Sequence, residues 1–196
     1  MMKLKQYVLA SVTLICTNLS SIATENISIV PKPNNYEFKE GKFTLSAQTK
    51  IVCSDKLKRT GELLAGYMRP ATGYPLTVTS SNNGGGNIAL KIISSEELGK
   101  EGYTLDVTPT GVLIAANTPT GVFYGGMSLF QLFPTQIASK TKVEDGTWFT
   151  PCVTIKDKPR FAWRSYMLDD GRYFNGCDEV KKLLDQMSIL TLNYFH

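Results

Sequence analysis

Residues 159–196 predict a strand, a polar loop, a helix and a second strand in direct succession, and this order constrains the fold most. AWRSYML is an apolar strand, DDGRYFNG is a polar loop, and TLNYFH predicts a buried strand. Between them, DEVKKLLDQMSIL predicts a helix, because acidic residues occupy its first turn and an apolar stripe follows: Val180, Leu183, Leu184, Met187 and Leu190. A strand–helix–strand unit joins parallel strands. It needs further strands and helices to bury its faces, so we expect it to begin a larger parallel domain.

The preceding residues, 26–157, predict a separate α+β domain. Its predicted strands are TKIVCS, LTVTS, NIALKI, YTLDVT and GVLIAA. In NNYEFKEGKFTL apolar and polar residues alternate, which predicts extended chain on both sides of a Glu-Gly turn. One helix starts near Lys56 and stops at Pro70 and Gly73, and GVFYGGMSLFQLFP predicts a second. Its two glycines favour close approach to the sheet. We expect a sheet with helices packed on one face, ending at the charged, proline-bearing boundary DKPR.

The N-terminus, residues 1–23, predicts a secretory signal peptide. MMKLKQ carries two lysines, YVLASVTLIC is apolar, and the segment ends in Ser-Ile-Ala. The apolar run is too short for a membrane span, which needs about 20 residues. A lipoprotein signal centred on Cys16 is the weaker alternative, because Ile15 is bulky. We expect an exported protein, periplasmic or secreted, with no stable membrane span.

Charge, histidine and cysteine content exclude several classes of protein. Loss of Lys3 and Lys5 with the leader lowers the net charge from +4 to +2, and no long basic run predicts nucleic-acid binding. The only histidine excludes a Ser-His-Asp triad or a multi-histidine metal site within these residues. No C-x-x-C occurs, so we expect no metal. The remaining cysteines permit one disulfide, but their spacing favours three separate buried thiols: Cys53, Cys152 and Cys177.

The polar loop after the first predicted parallel strand carries the candidate site. Asp169, Asp170 and Arg172 fall where that strand ends. Ligand-binding groups gather at the carboxyl ends of strands in parallel α/β folds. An arginine there offers a rigid fork of donors for hydroxyls or a carboxylate. The alternative is a local salt bridge among the three residues.

These segments resemble family 20 glycoside hydrolases, the β-N-acetylhexosaminidases. The similarity to the opening of that family's catalytic barrel lies in the following residues: Phe161, Trp163, Arg164, Leu168, Asp169, Arg172, Tyr173, Phe174, Met187, Leu192, Asn193, Phe195 and His196. The preceding segment is similar to the family's accessory domain at residues 29–33 and in these positions: Glu101, Tyr103, Leu105, Gly121, Tyr124, Gly125, Leu129, Gln131 and Leu132. Ser165 stands where the family usually has glycine, and Gly171 and Tyr173 flank the arginine where Ser/Ala and His are common.

The resemblance implies an α+β accessory domain at residues 24–157 and the truncated start of a (β/α)8 TIM barrel at 158–196. It implies substrate-assisted retaining hydrolysis of N-acetylhexosamine-containing glycans without a cofactor. By resemblance, Arg172 binds the hydroxyls of the terminal sugar, Asp169 orients it, and Trp163 and Arg164 are structural.

No catalytic residue is predicted within the chain, because the family's Asp-Glu pair has no counterpart here. The acidic pairs at 144–145 and 178–179 sit in a predicted turn and at a helix start, and His196 is expected to pack in a core. We therefore expect an N-terminal fragment, inactive alone. The alternatives are a non-catalytic exported module that binds glycans or a partner, and another glycosidase that shares the accessory domain.

Overall fold

The computed structural model describes residues 26–81, 84–174 and 176–196. The predicted signal peptide, residues 1–23, lies outside the described residues and stays a prediction. Within those ranges no helix is both long and apolar enough to cross a membrane.

The described chain forms a seven-stranded mixed sheet and a separate two-stranded parallel sheet. The order in the large sheet is β1-β7-β5-β6-β4-β2-β3, antiparallel from β1 to β6 and parallel from β6 to β3. The elements, in chain order, are β1 Asn35–Thr44, β2 Ile51–Val52, α1 Lys58–Thr72, β3 Val78–Thr79, β4 Asn87–Ile92, β5 Tyr103–Thr108, β6 Gly111–Ala116, α2 Pro119–Leu132, β7 Phe149–Asp157, β8 Ser165–Tyr166, α3 Cys177–Ile189 and β9 Tyr194–Phe195. Short 3₁₀ turns cover Asp55–Leu57, Glu96–Leu98 and Thr135–Ala138.

Both helices of the first domain cover one face of the large sheet. α1 and α2 contact each other, and α2 lies across β4, β5 and β6. Tyr103, Leu105 and Val107 alternate toward the helices and are buried. The opposite face is polar, with Lys39 Nζ 2.8 Å from Asp106 Oδ1. This confirms the predicted sheet with helices on one face.

The two adjacent glycines of α2 let the helix approach two different neighbours closely. A Cβ on Gly125 would lie 2.6 Å from Ile114 Cγ2, on the sheet. A Cβ on Gly126 would lie 3.2 Å from Leu64 Cδ1, on α1. The prediction of close approach to the sheet is confirmed for Gly125 and wrong for Gly126, which lets the two helices pack together.

The prediction of a turn in the first strand is wrong, and the predicted end of the first helix is correct in part. The Glu-Gly pair is a bulge within one continuous strand, where the register with β7 shifts between Lys39 and Lys42 and Gly41 has a φ of +99°. The predicted end of α1 is confirmed for Gly73, whose left-handed φ of +67° closes the helix, and wrong for Pro70, which lies inside its last turn.

Strand β7 was not among the strands predicted from the sequence. It lies between β1 and β5 and is paired to both along most of its length. Its buried residues include Val153 and Ile155, neither of which has measurable exposure.

The predicted strand–helix–strand unit is present as β8, α3 and β9, and the two strands pair in parallel. α3 packs on α2, where Gln131 Nε2 donates to the Ile189 carbonyl at 3.1 Å. Of the predicted apolar stripe only Met187 is buried. Two strands and one helix follow the (β/α)8 pattern, and the barrel itself stays a prediction.

Three burial predictions for this unit are wrong. Tyr194 and Phe195 are 48% and 41% exposed rather than buried, and His196 is exposed rather than packed in a core. Cys177 is exposed, whereas Cys53 and Cys152 are buried free thiols as expected. In the described part of the chain, both residues of β8 and both residues of β9 are exposed.

Candidate functional site

The polar loop that follows β8 lies at the carboxyl edge of the parallel pair. The Leu168 amide donates to the His196 carbonyl at 2.7 Å, and the His196 amide donates to the Tyr166 carbonyl at 3.0 Å. The root of the loop is therefore bonded to the end of β9. The predicted site thus begins at the edge where ligands bind in parallel α/β folds.

Asp169 and Arg172 form an ion pair within this loop. Arg172 Nε donates to Asp169 Oδ2 at 2.9 Å, and the other carboxylate oxygen accepts from the Gly171 amide at 3.2 Å. The salt bridge foreseen as the alternative to a functional site therefore exists. It does not bury the arginine, because the Arg172 side chain is 90% exposed.

The same loop presents two aromatic rings. Tyr173 is 75% exposed and Phe174 is 73% exposed. A carboxylate-oriented guanidinium beside exposed rings offers charged donors together with apolar faces. Such a surface can bind a polar ligand with apolar sides, and a sugar ring has this chemistry.

A second polar cluster joins the first domain to the parallel pair, and we call it the junction cluster: Glu101, Tyr124, Arg164 and Asn193. Arg164 Nη1 lies 3.0 Å from Glu101 Oε2, with side-chain exposures of 11% and 25%. Arg164 Nη2 donates to Tyr124 Oη at 3.3 Å, and its guanidinium lies 5.6 Å from the centre of that ring.

Asn193 completes the junction cluster from the side of β9. Its Nδ2 donates to Glu101 Oε1 at 3.2 Å, and its Oδ1 accepts from the Arg164 amide at 3.0 Å. Burial raises the pKa of Glu101, but hydrogen bonds from Arg164 and Asn193 outweigh it, so the pKa lies below its usual value. Burial raises the pKa of Tyr124, which therefore stays neutral as a donor and acceptor.

Sequence reasoning treated Glu101 and Tyr124 only as points of resemblance and missed that they meet. The available signals were an acidic residue just before an alternating strand and a tyrosine within the apolar helix α2. The structural role expected for Arg164 agrees with its half-buried ion pair. Trp163 is 68% exposed and stacks on Tyr194, with ring centres 4.6 Å apart.

A cavity of about 230 Å³ lies beside the junction cluster. On its wall the Tyr103 and Ser128 hydroxyls are 2.6 Å apart, and Tyr103 Oη lies 3.4 Å from Asp157 Oδ2. Burial raises the pKa of Tyr103, so its phenol is neutral. Over the ranges that the structure describes, no group of three or more His, Cys, Asp or Glu side chains is arranged to hold a metal ion.

Two family matches cover almost all of the described chain. Residues 26–158 match "Glycosyl hydrolase family 20, domain 2", and residues 161–196 match "Glycosyl hydrolase family 20, catalytic domain". The α+β domain followed by the β8–α3–β9 unit is thus the architecture of a class of glycoside hydrolases. The chain belongs to glycoside hydrolase family 20, which confirms the resemblance drawn from its sequence.

Named relatives and solved structures agree with this membership. A β-hexosaminidase from Porphyromonas gingivalis is 32% identical over 88% of this chain. The structure of the β-N-acetylhexosaminidase from Streptomyces coelicolor A3(2) superposes on 86% of the chain with a TM-score of 0.80 and 37% identity. A mutant β-hexosaminidase from Streptomyces plicatus, solved in complex with its product GlcNAc, covers 86% of the chain, with a TM-score of 0.79 and 38% identity.

The chain spans only part of these relatives. It covers 22% of the P. gingivalis protein, 34% of the S. coelicolor structure and 33% of the S. plicatus structure. The similarity therefore concerns their accessory domain and the opening of their catalytic domain.

Proposed function

We propose that this chain supplies the accessory domain and the opening of the catalytic domain of a β-N-acetylhexosaminidase. The whole enzyme would remove terminal β-linked N-acetylglucosamine or N-acetylgalactosamine from glycans. The observation that carries the proposal is Arg172, at the carboxyl edge of the parallel pair, oriented by Asp169 and 90% exposed to a ligand. The S. plicatus relative, solved with GlcNAc as its product, supports this class of sugar.

Arg172 would bind hydroxyls of the terminal sugar. A guanidinium offers several N–H donors in a fixed plane, and charge-assisted bonds to it are stronger than bonds between neutral groups. Asp169 takes the Nε–H and would fix the plane in which the remaining donors project. The sugar would thereby be held at the edge of the sheet where the reaction takes place.

Bond cleavage would follow the substrate-assisted route that the family resemblance implies. The 2-acetamido oxygen attacks the anomeric carbon of its own sugar as the glycosidic bond breaks, and a glutamic acid protonates the leaving oxygen. Water then opens the cyclic intermediate with retention of configuration. The glutamic acid and the aspartate that orients the acetamido group have no assigned counterpart in these residues, so we propose that this chain alone does not hydrolyse the substrate.

The test compares the 196-residue chain with a chain extended through a complete barrel from a family relative. The extended chain should release the aryl group from a β-linked aryl N-acetylglucosaminide. The 196-residue chain should not, because general acid catalysis alone contributes about 10²–10⁴-fold. Robust turnover by residues 24–196 would overturn this division of labour. Sugar binding with no turnover by any extended, folded chain would favour the non-catalytic glycan-binding module instead.

A further inference from the structure

Residues immediately before both strands of the parallel pair bind one side chain of the α+β domain. Arg164 precedes β8, Asn193 precedes β9, and Glu101 lies just before β5 in the large sheet. One oxygen of the Glu101 carboxylate accepts from Arg164 and the other accepts from Asn193. The two strands are thus anchored at their amino ends by a single group of the first domain.

The anchor is stiff on the side of the parallel pair. Arg164 Nε donates to the Thr191 carbonyl at 2.8 Å, and its own carbonyl accepts from the amides of Asn193 and Tyr194 at 2.9 and 3.1 Å. The amino ends of β8 and β9 are therefore hydrogen-bonded to each other as well as to Glu101. A shift of the guanidinium would move both strands.

The predicted sugar-binding loop begins a short distance along the same strand. Leu168 is four residues after Arg164, about 13 Å at the rise of an extended chain. The hydrogen bond from the Leu168 amide to the His196 carbonyl joins the carboxyl ends of the two strands. The Arg172–Asp169 ion pair follows directly, so its position depends on where the strand starts.

We propose that Glu101 is a positioning residue: through Arg164 and Asn193 it fixes the two parallel strands, and thereby the loop that carries Arg172. The accessory domain then contributes to the site without touching the sugar. This inference rests on the proposed function only in naming that loop as sugar-binding. The positioning itself is measurable without any sugar.

Hydrogen exchange on the 196-residue chain tests the inference. The amides of Leu168 and His196 should exchange more slowly than in an unstructured peptide. Glu101→Gln keeps the shape but removes the charge, and it should accelerate both amides by about 10- to 100-fold or to the unprotected rate. Glu97→Gln is the matched control, because Glu97 also forms an ion pair, with Lys156 of β7, but its side chain is 66% exposed. It should leave both amides unchanged.

Arg164→Lys tests whether the planar guanidinium positions the two strands or whether a positive charge opposite Glu101 is enough. The guanidinium serves Thr191, Glu101, Phe161 and Tyr124 at once, through three nitrogens in one plane. A lysine keeps the charge but has a single nitrogen, so it should not restore the slow exchange.

Four outcomes would overturn the inference. Three of them are no protection of Leu168 and His196 in the unaltered chain, no acceleration in Glu101→Gln, and full protection in Arg164→Lys. Equal acceleration in β5 of Glu101→Gln would also overturn it, because Glu101 would then merely stabilise its own domain. Failure of hydrolysis in the extended chain would affect only the proposed function, since exchange is measured without substrate.

Discussion

At the scale of single residues, two arginines eight positions apart have opposite environments. The Arg164 side chain is 11% exposed and forms a half-buried ion pair, whereas the Arg172 side chain is 90% exposed on its loop. The difference follows from position, because one precedes the strand and meets the first domain while the other follows it. The sequence predicted this contrast through resemblance, but periodicity cannot show which partner a buried arginine finds. Glu101 lies 63 positions from Arg164, and no local pattern connects them.

In a chain extended through the barrel, Arg172→Ala should lower kcat/KM by about 10²-fold or more. Charge-assisted hydrogen bonds are each worth about 1.5–3 kcal/mol, and more than one would be lost. Steady-state kinetics on a β-linked aryl N-acetylglucosaminide measures the effect. Arg59→Ala, at an exposed position of α1, is the control and should retain full activity. An unimpaired Arg172→Ala enzyme would contradict the site assignment.

The contribution of Glu101 should disappear in acid. Because its pKa is lower in the folded chain than its usual value of 4.5, the folded state binds the proton more weakly than the unfolded state. The stabilisation is therefore complete above pH 4.5 and is lost as the pH falls through the folded pKa. Burial raises the pKa of Tyr124, so Tyr124 stays neutral across this range.

Exchange of the His196 amide from pH 6 to pH 3 measures this dependence, once corrected for intrinsic rates. The difference in protection between the unaltered chain and Glu101→Gln should be widest above pH 5 and should narrow as the pH falls below 4.5. A difference that stays constant with pH would show that the charge on Glu101 contributes nothing.

At the scale of elements, β5 and β6 were predicted with the bounds that the structure shows: β5 alternates strictly, whereas β6 is a short apolar run. β7 was missed because it carries Pro151, and proline ordinarily argues against a central strand. The structure tolerates it because Pro151 lies opposite the β1 bulge at Lys42 and outside the stretch that pairs with β5. A bulge is a long-range feature, so the sequence of β7 alone could not have predicted it.

Two glycine-to-alanine changes should have opposite effects on stability. Gly125→Ala places a methyl 2.6 Å from Ile114 and 3.0 Å from Tyr103, and such overpacking costs about 1–3 kcal/mol. Gly66→Ala, on α1, meets nothing within 4 Å, and the better helix propensity of alanine should add about 0.5–1 kcal/mol.

Urea unfolding followed by tryptophan fluorescence compares the two variants, because Trp148 is only 3% exposed. The midpoint should fall for Gly125→Ala and rise for Gly66→Ala. If both midpoints rise, the gain in helix propensity exceeds the cost of overpacking at Gly125. The close contact between α2 and the sheet would then not limit stability.

At the scale of the whole molecule, the α+β domain has a closed core and the parallel unit does not. Residues 26–157 bury thirty-odd apolar side chains between the large sheet and its helices, whereas β8, β9 and α3 leave most of theirs exposed. We predict that residues 26–157 fold alone with cooperative unfolding. In the full chain, β8 and β9 should be protected from exchange at least about 100-fold less than β5 and β6. Equal protection of the two sheets would contradict this.

Export is the second prediction at this scale. The charged, apolar and small-residue layout of the N-terminus predicts cleavage after Ala23. Intact mass of the protein purified from its native host should correspond to a chain starting at Thr24. A mass that retains Met1 would exclude the cleaved signal peptide.

The place of β7 in the large sheet bears on the order in which a growing polypeptide acquires its shape. β1 has β7 as its sole hydrogen-bonded neighbour within the described sheet, and at this junction Asn34 and Asp157 bond across 123 positions. During synthesis β1 must wait for nearly the whole domain to emerge, with its backbone edge open throughout. Such distant pairing slows folding and leaves strands available to other chains. We therefore expect the nascent chain to be most prone to aggregate just before β7 is made.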